Sequence, residues 1–121
     1  MISKEEFTTL HSEIATYIKR TPIMRSRLLN GLAETEVYFK CENFQRMGAF
    51  KMRGATAAIL ALSAKERAKG VVTHSSGNFA QAVSLSAKSL GIPAYIVMPC
   101  SAPQVKKDAV KTYGGQITEC E

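Results

Sequence analysis

An α/β fold, with a parallel sheet flanked by helices, is what this sequence predicts, and two observations carry the prediction. From Val71 onward, apolar runs of strand length alternate with helical periodicity in the order β-α-β-α-β. Strands so spaced pair in parallel through right-handed helical crossovers. The first half adds amphipathic helices announced by two Ser-x-x-Glu capping boxes, Ser3/Glu6 and Ser63/Glu66.

Behind Ser3, the residues Phe7, Leu10, Ile14 and Ile18 recur at helical intervals, so a first helix is predicted to run to the stop at Thr21-Pro22. After Asn30-Gly31, the run Val37-Tyr38-Phe39-Lys40-Cys41 is rich in strand formers and is predicted to pair within a sheet. Ala55, Ala58, Ile59 and Leu62 give a helix from about Lys51 one apolar face, and the second box starts a short helix ended by Gly70. Val71-Val72-Thr73-His74 reads as a buried strand, Phe79 to Leu90 as a helix stopped by Gly91, and Ala94 to Met98 as a strand closed by Pro99. Pro103 opens a helix to Tyr113, Gly114-Gly115 breaks it, and Gln116 to Cys120 is the last strand. The chain ends on that strand with no helix to cover it, which predicts a segment of a larger α/β protein.

Apolar residues make up 45% of the 121 positions and charged ones 21%, the balance of a packed domain. The formal charge of +6 is dispersed: the longest basic runs are the pairs Lys19-Arg20 and Lys106-Lys107, without interleaved aromatics, which argues against a nucleic-acid partner. Cys41, Cys100 and Cys120 are odd in number and far apart, so no zinc or redox motif is predicted. They read as small apolar fillers whose reduced thiols fit a cytoplasmic protein. Neither a signal-peptide core nor a membrane-spanning stretch is visible. Met24, Met47, Met52 and Met98 read as core or interface packing.

The turn Ser75-Ser76-Gly77-Asn78 lies where a strand hands over to a helix at the carboxyl edge of the sheet, the place where α/β proteins bind ligands. Free N–H groups at the helix start, two hydroxyls, an amide and a glycine suit a carboxylate or phosphate. Seen alone, the same turn reads more readily as a helix cap formed by Ser76 or Asn78. Lys51, between Phe50 and Met52, is a candidate nucleophile if burial lowers its pKa, and otherwise an ordinary surface lysine. His74, beside the turn, suits acid–base work or a hydrogen-bonded place in the core.

The stretch from Lys40 to Ala55, with Asn43-Phe44-Gln45-Arg46-Met47-Gly48-Ala49-Phe50-Lys51-Met52-Arg53-Gly54 at its centre, resembles the cofactor-lysine signature of the fold-type II pyridoxal-phosphate enzymes. Val72-Thr73-His74-Ser75-Ser76-Gly77-Asn78-Phe79-Ala80-Gln81-Ala82 resembles their substrate-carboxylate loop, and Gly91-Ile92-Pro93-Ala94-Tyr95-Ile96-Val97-Met98-Pro99 follows in the same order. The similarity covers nearly the whole chain and is greatest to serine racemases and catabolic serine/threonine dehydratases.

That resemblance implies a partial tryptophan-synthase-β-like fold, residues 1–70 belonging to the large cofactor domain and 71–121 to the smaller domain that closes over substrate. It implies pyridoxal 5'-phosphate as cofactor, Lys51 as its Schiff-base lysine, Phe50 against its ring and Asn78 on its phenolic oxygen. Ser75, Ser76, Gly77 and Asn78 become the substrate site, with Ser76 the racemases' second catalytic residue opposite Lys51. The implied function is ammonia-lyase chemistry on serine or threonine, giving a 2-oxo acid, with serine racemisation as an accompanying activity and a homo-oligomer or partner chain as the assembly. The family has histidine where this chain has Phe79, a change expected to alter packing and hydrogen bonding around the loop. The family's glycine-rich phosphate loop, its contact to the pyridine nitrogen and the racemases' metal-binding carboxylates fall in a C-terminal remainder that this sequence does not contain. Little turnover is therefore expected of these 121 residues alone, and a non-catalytic remnant or subunit acting through a partner chain is the rival expectation.

Overall fold

The computed structural model describes residues 3–121. Helix α1 (Lys4–Ile14) starts at the predicted box: Glu6 N–H donates to the Ser3 hydroxyl, and the Ser3 N–H donates to the Glu6 carboxylate at 2.7 Å. It stops a turn earlier than its periodicity suggests, yet Ile18, beyond its end, is buried with Ile14 against Met52. The two-residue strands β1 (Ile23–Met24) and β2 (Phe39–Lys40) pair antiparallel. Between them lies a helix that the sequence reading misses, α2 (Arg27–Ala33), capped by Ser26 and passing through Asn30-Gly31. This unit leaves Ile23, Met24, Leu28 and Leu32 exposed, so the packing role predicted for Met24 is not met within this chain.

Two short 3-10 turns, Glu42–Phe44 and Arg46–Gly48, lead to helix α3 (Lys51–Leu60). The backbone bends sharply within the second turn, ahead of α3: Met47 and Gly48 both have positive φ, at 55° and 75°. Helix α3 buries Met52, Ala55, Thr56 and Ile59, so its inner face is rotated from the predicted one and leaves Ala58 exposed. Helix α4 (Ala64–Arg67) begins at the second box as predicted.

The rest is the expected alternation: β3 (Val71–His74), α5 (Asn78–Ser89), β4 (Ala94–Pro99), α6 (Gln104–Thr112) and β5 (Gly115–Cys120). The three strands form one parallel sheet in the order β3-β4-β5, with Ile96 opposite Thr73 on one side and Ile117 on the other. Ala80, Val83, Ile96, Met98 and Val110 make its core, joined by Ala55 and Ile59 from α3. Strand β3 is not buried as predicted: its alternate side chains point away from the core, as Tyr95 does on the central strand β4, and Val72 is 73% exposed. Gly114-Gly115 is structural, as read from the sequence. A Cβ on Gly115 would overlap Ser84 Oγ, so only glycine lets β5 lie this close to α5. Cys41 and Cys120 are half-buried, but Cys100 is exposed and is no filler.

The turns before α3 are stapled to it. Arg53 donates from Nε and Nη2 to the two Glu42 oxygens at 2.9 and 2.8 Å, and Thr21 donates its hydroxyl to Oε1. The Arg53 hydrogen bonds, foremost, hold the Glu42 carboxyl down at about 2. Burial opposes the shift, while the Thr21 hydroxyl and the charges of Arg53 and Lys40 reinforce it. A depressed folded-state pKa stabilises above the ordinary value of 4.5, and that contribution is lost as pH falls through about 2. Glu42→Gln is expected to cost about 2 kcal/mol at neutral pH, in the range for hydrogen bonds to charged groups. Urea midpoints of the two proteins should converge as pH is lowered from 4.5 toward 2. A gap unchanged over that window contradicts the assignment.

Candidate active site

Lys51 is the first residue of α3 and Phe79 the second of α5, and with the two helices packed together the Lys51 side chain reaches the Phe79 ring. Met52 is fully buried between them. Thr56 donates to the Met52 carbonyl at 2.8 Å, Thr56 Oγ1 and Ser86 Oγ lie 2.9 Å apart, and Ser86 Oγ reaches Met52 Sδ at 3.6 Å. These buried polar contacts fix the register of one helix on the other. The Lys51 amine consequently sits 5.0 Å from the Phe50 ring centroid and 5.9 Å from that of Phe79, in cation–π range of both. Where the resembling family has an imidazole, an apolar ring face meets the amine.

The turn following β3 holds the other site residues. Ser75 still belongs to the sheet through its N–H to the Val97 carbonyl at 3.1 Å, and its hydroxyl accepts from the N–H groups of Gly77 and Ala80, both at 3.3 Å. The side chain that organises the turn is therefore Ser75, not Ser76 or Asn78 as the capping alternative has it. Ser76 is exposed and its hydroxyl makes no hydrogen bond among the described residues. Gly77 is the N-cap of α5, supplies no side-chain cap, and has open space where a Cβ would stand. Phe50 likewise caps α3 without a side-chain hydrogen bond. Each of the two helices presents the positive end of its dipole without a side-chain cap at its N-cap residue, and the exposed Lys51 amine stands on the first residue of one of them.

His74 is exposed and makes no side-chain hydrogen bond among the described residues, so it is not the core histidine that the sequence allows. Sequence reasoning misses Lys106 on α6, whose Nζ donates to Asn78 Oδ1 at 3.0 Å. Twenty-eight residues separate the pair, and the only local signal is the basic pair Lys106-Lys107 at the start of a helix. Among the described residues no cluster of three or more His, Cys, Asp or Glu side chains is placed to hold a metal, and no helix is long and apolar enough to cross a membrane.

An exposed amine, an aromatic ring 59% exposed beside it and an open glycine turn at a helix N-terminus fit a flat aromatic aldehyde that also carries acceptor oxygens. A family model described as "Pyridoxal-phosphate dependent enzyme" matches residues 14–121. The chain belongs to that family. It is 54% identical over 117 residues to β-hydroxyaspartate dehydratase of Paracoccus denitrificans, covering 97% of this chain and 37% of the relative. To serine racemase of Arabidopsis thaliana it is 55% identical over 107 residues, covering 88% of this chain and 32% of the relative. The structure of maize serine racemase superposes with a TM-score of 0.93 at 48% identity, over 97% of this chain and 36% of that one.

The chain thus spans about a third of the length of these relatives. The fold class, the family and its dependence on pyridoxal phosphate stand as the sequence implied. Matching relatives are racemases and dehydratases of small amino acids, the coarse chemistry expected.

Proposed function

We propose that this chain carries the cofactor lysine and the substrate-carboxylate loop of a pyridoxal-phosphate-dependent ammonia-lyase acting on serine or threonine, with serine racemisation at the same site. The observation supporting the reading is the Lys51 amine 5.9 Å from the ring of Phe79, which follows the turn Ser75 to Asn78 in the first turn of α5. Lys51 would hold the cofactor covalently, Phe50 would pack on its ring, and Asn78 would donate to its ring oxygen. Ser75, Ser76 and Gly77 would receive the substrate carboxylate, drawn by the helix dipole. When bound, the cofactor supplies an electron sink for the charge left after Cα–H cleavage. Lys51, once its amine is free, takes the Cα proton from one side, and loss of the β-hydroxyl then leads to ammonia and a 2-oxo acid. Ser76 returns a proton to the opposite side, which inverts the amino acid instead.

In this reading residues 1–70 belong to the cofactor domain and 71–121 to the closing domain. Assembly as a homo-oligomer or with a partner chain is supported by the exposed Ile23, Leu28 and Leu32, and a cytoplasmic location by three free thiols. Likeness to a β-hydroxyaspartate dehydratase adds 3-hydroxyaspartate to the substrates worth assaying.

Ser76→Ala separates the two outcomes of the site. D-Serine formation by the intact protein is expected to fall about a hundredfold, the lower range for a positioned general acid or base, while pyruvate formation falls far less. Chiral chromatography of D-serine beside a coupled pyruvate assay measures both, and equal losses contradict a two-sided arrangement.

A further inference from the structure

Asn78 has a planar amide with an acceptor oxygen on one branch and a two-proton donor on the other, and nothing in its sequence position decides which branch faces a ligand. Lys106 decides it. A lysine ammonium has donors only, so the Asn78 atom 3.0 Å from Nζ is the oxygen. The NH2 branch then points elsewhere, and it has no partner among the described residues. Turning the amide over would set an NH2 against an ammonium and leave both without a hydrogen bond.

Lys106 itself is placed by its neighbour. Lys107 is 6% exposed, and its Nζ donates to the Cys100 carbonyl at 2.9 Å and pairs with the Glu119 carboxylate at 3.0 Å. That anchor fixes the rotation of the first turns of α6. The next residue back, about 100° around the helix axis, is thereby aimed at the turn that opens α5. The geometry has one side chain of α6 locking α6 to the sheet edge and its neighbour reaching across to the ligand turn.

We propose that Lys106 is a positioning residue for the cofactor site: it locks the Asn78 amide with its NH2 outward, as a ready donor to an acceptor oxygen on the cofactor ring. The inference rests on the reading of Asn78 as a ring contact. Preorganising one donor in this way strengthens binding without a new contact between lysine and cofactor.

Three proteins test it: the unaltered one, Lys106→Met, which keeps the aliphatic stem, and Lys106→Arg, which restores a donor. In 15N–1H spectra, the Asn78 side-chain NH2 signals, identified by their loss in Asn78→Asp, should move in Lys106→Met and return in Lys106→Arg. Titration with pyridoxal 5'-phosphate, followed by absorbance, should show about three- to tenfold weaker binding for Lys106→Met, the range of one ordinary hydrogen bond whose donor is no longer held in place, and recovery for Lys106→Arg. Unmoved Asn78 signals in Lys106→Met overturn the proposal, as does weakened binding that arginine fails to restore. Failure of the underlying reading looks different: cofactor fixed by borohydride at a lysine other than Lys51 removes the proposed site, whereas the Asn78 signals still decide what Lys106 does to the amide.

Discussion

Lys51→Ala is expected to lower ammonia release from serine or threonine by about a thousandfold in the intact protein, the mid-range loss for a positioned general base. The loss has two sources, since the same amine would hold the cofactor and then take the Cα proton. Lys51→Arg should fall as far. A guanidinium keeps the charge and the aromatic neighbours Phe50 and Phe79, but it stays protonated and neither condenses with an aldehyde nor accepts a proton near neutral pH. Steady-state ammonia assays of both variants, with circular dichroism to confirm folding, check the result. Activity within tenfold of the unaltered protein in either variant removes Lys51 from the mechanism.

Met52→Ala should be the most damaging change that leaves the site's own residues intact. Met52 is fully buried where α3 meets α5, packed with Ile14 and Ile18, and its carbonyl and sulfur both receive hydroxyl contacts. Truncating a buried methionine costs about 2–5 kcal/mol through lost transfer energy and the cavity left behind. Urea unfolding should show that loss at an unchanged slope. Because the α3–α5 packing sets where Lys51 stands relative to Phe79, any protein still folded should also bind pyridoxal phosphate more weakly. A stability loss under about 1 kcal/mol, small for this mechanism, contradicts the packing described.

Features specified by neighbouring residues are legible in the sequence. Both Ser-x-x-Glu boxes close as read, and the alternation from Val71 to Cys120 becomes a parallel sheet because each strand and helix there carries its own apolar pattern and its own stop. Features set by tertiary partners are not. Helix α2 is hidden by Asn30-Gly31, a pair that reads as a break but sits inside a helix capped by Ser26. The buried face of α3 runs through Met52 and Thr56 because Ser86 of α5 lies across it, a contact thirty residues away in sequence. Val71-Val72 suggests a buried strand, yet consecutive side chains of a strand face opposite ways, and the outward face is open here on β3 and on the central strand β4 alike.

The candidate site shows the same division. Resemblance picks out Lys51 and the Ser75 to Asn78 turn, and the structure adds that the Lys51 amine reaches the ring of Phe79, one residue after that turn. The capping role of Ser75 and the contact of Lys106 with Asn78 require three-dimensional placement, since neither leaves a local pattern.

The central claim, that Lys51 is the cofactor lysine, is tested most directly by incubating the protein with pyridoxal 5'-phosphate, reducing with borohydride and mapping the labelled peptides. Pyridoxyl label concentrated on the peptide containing Phe50-Lys51-Met52, and lost in Lys51→Ala, is the predicted result. Label spread over the surface lysines, or concentrated on any other one, contradicts it.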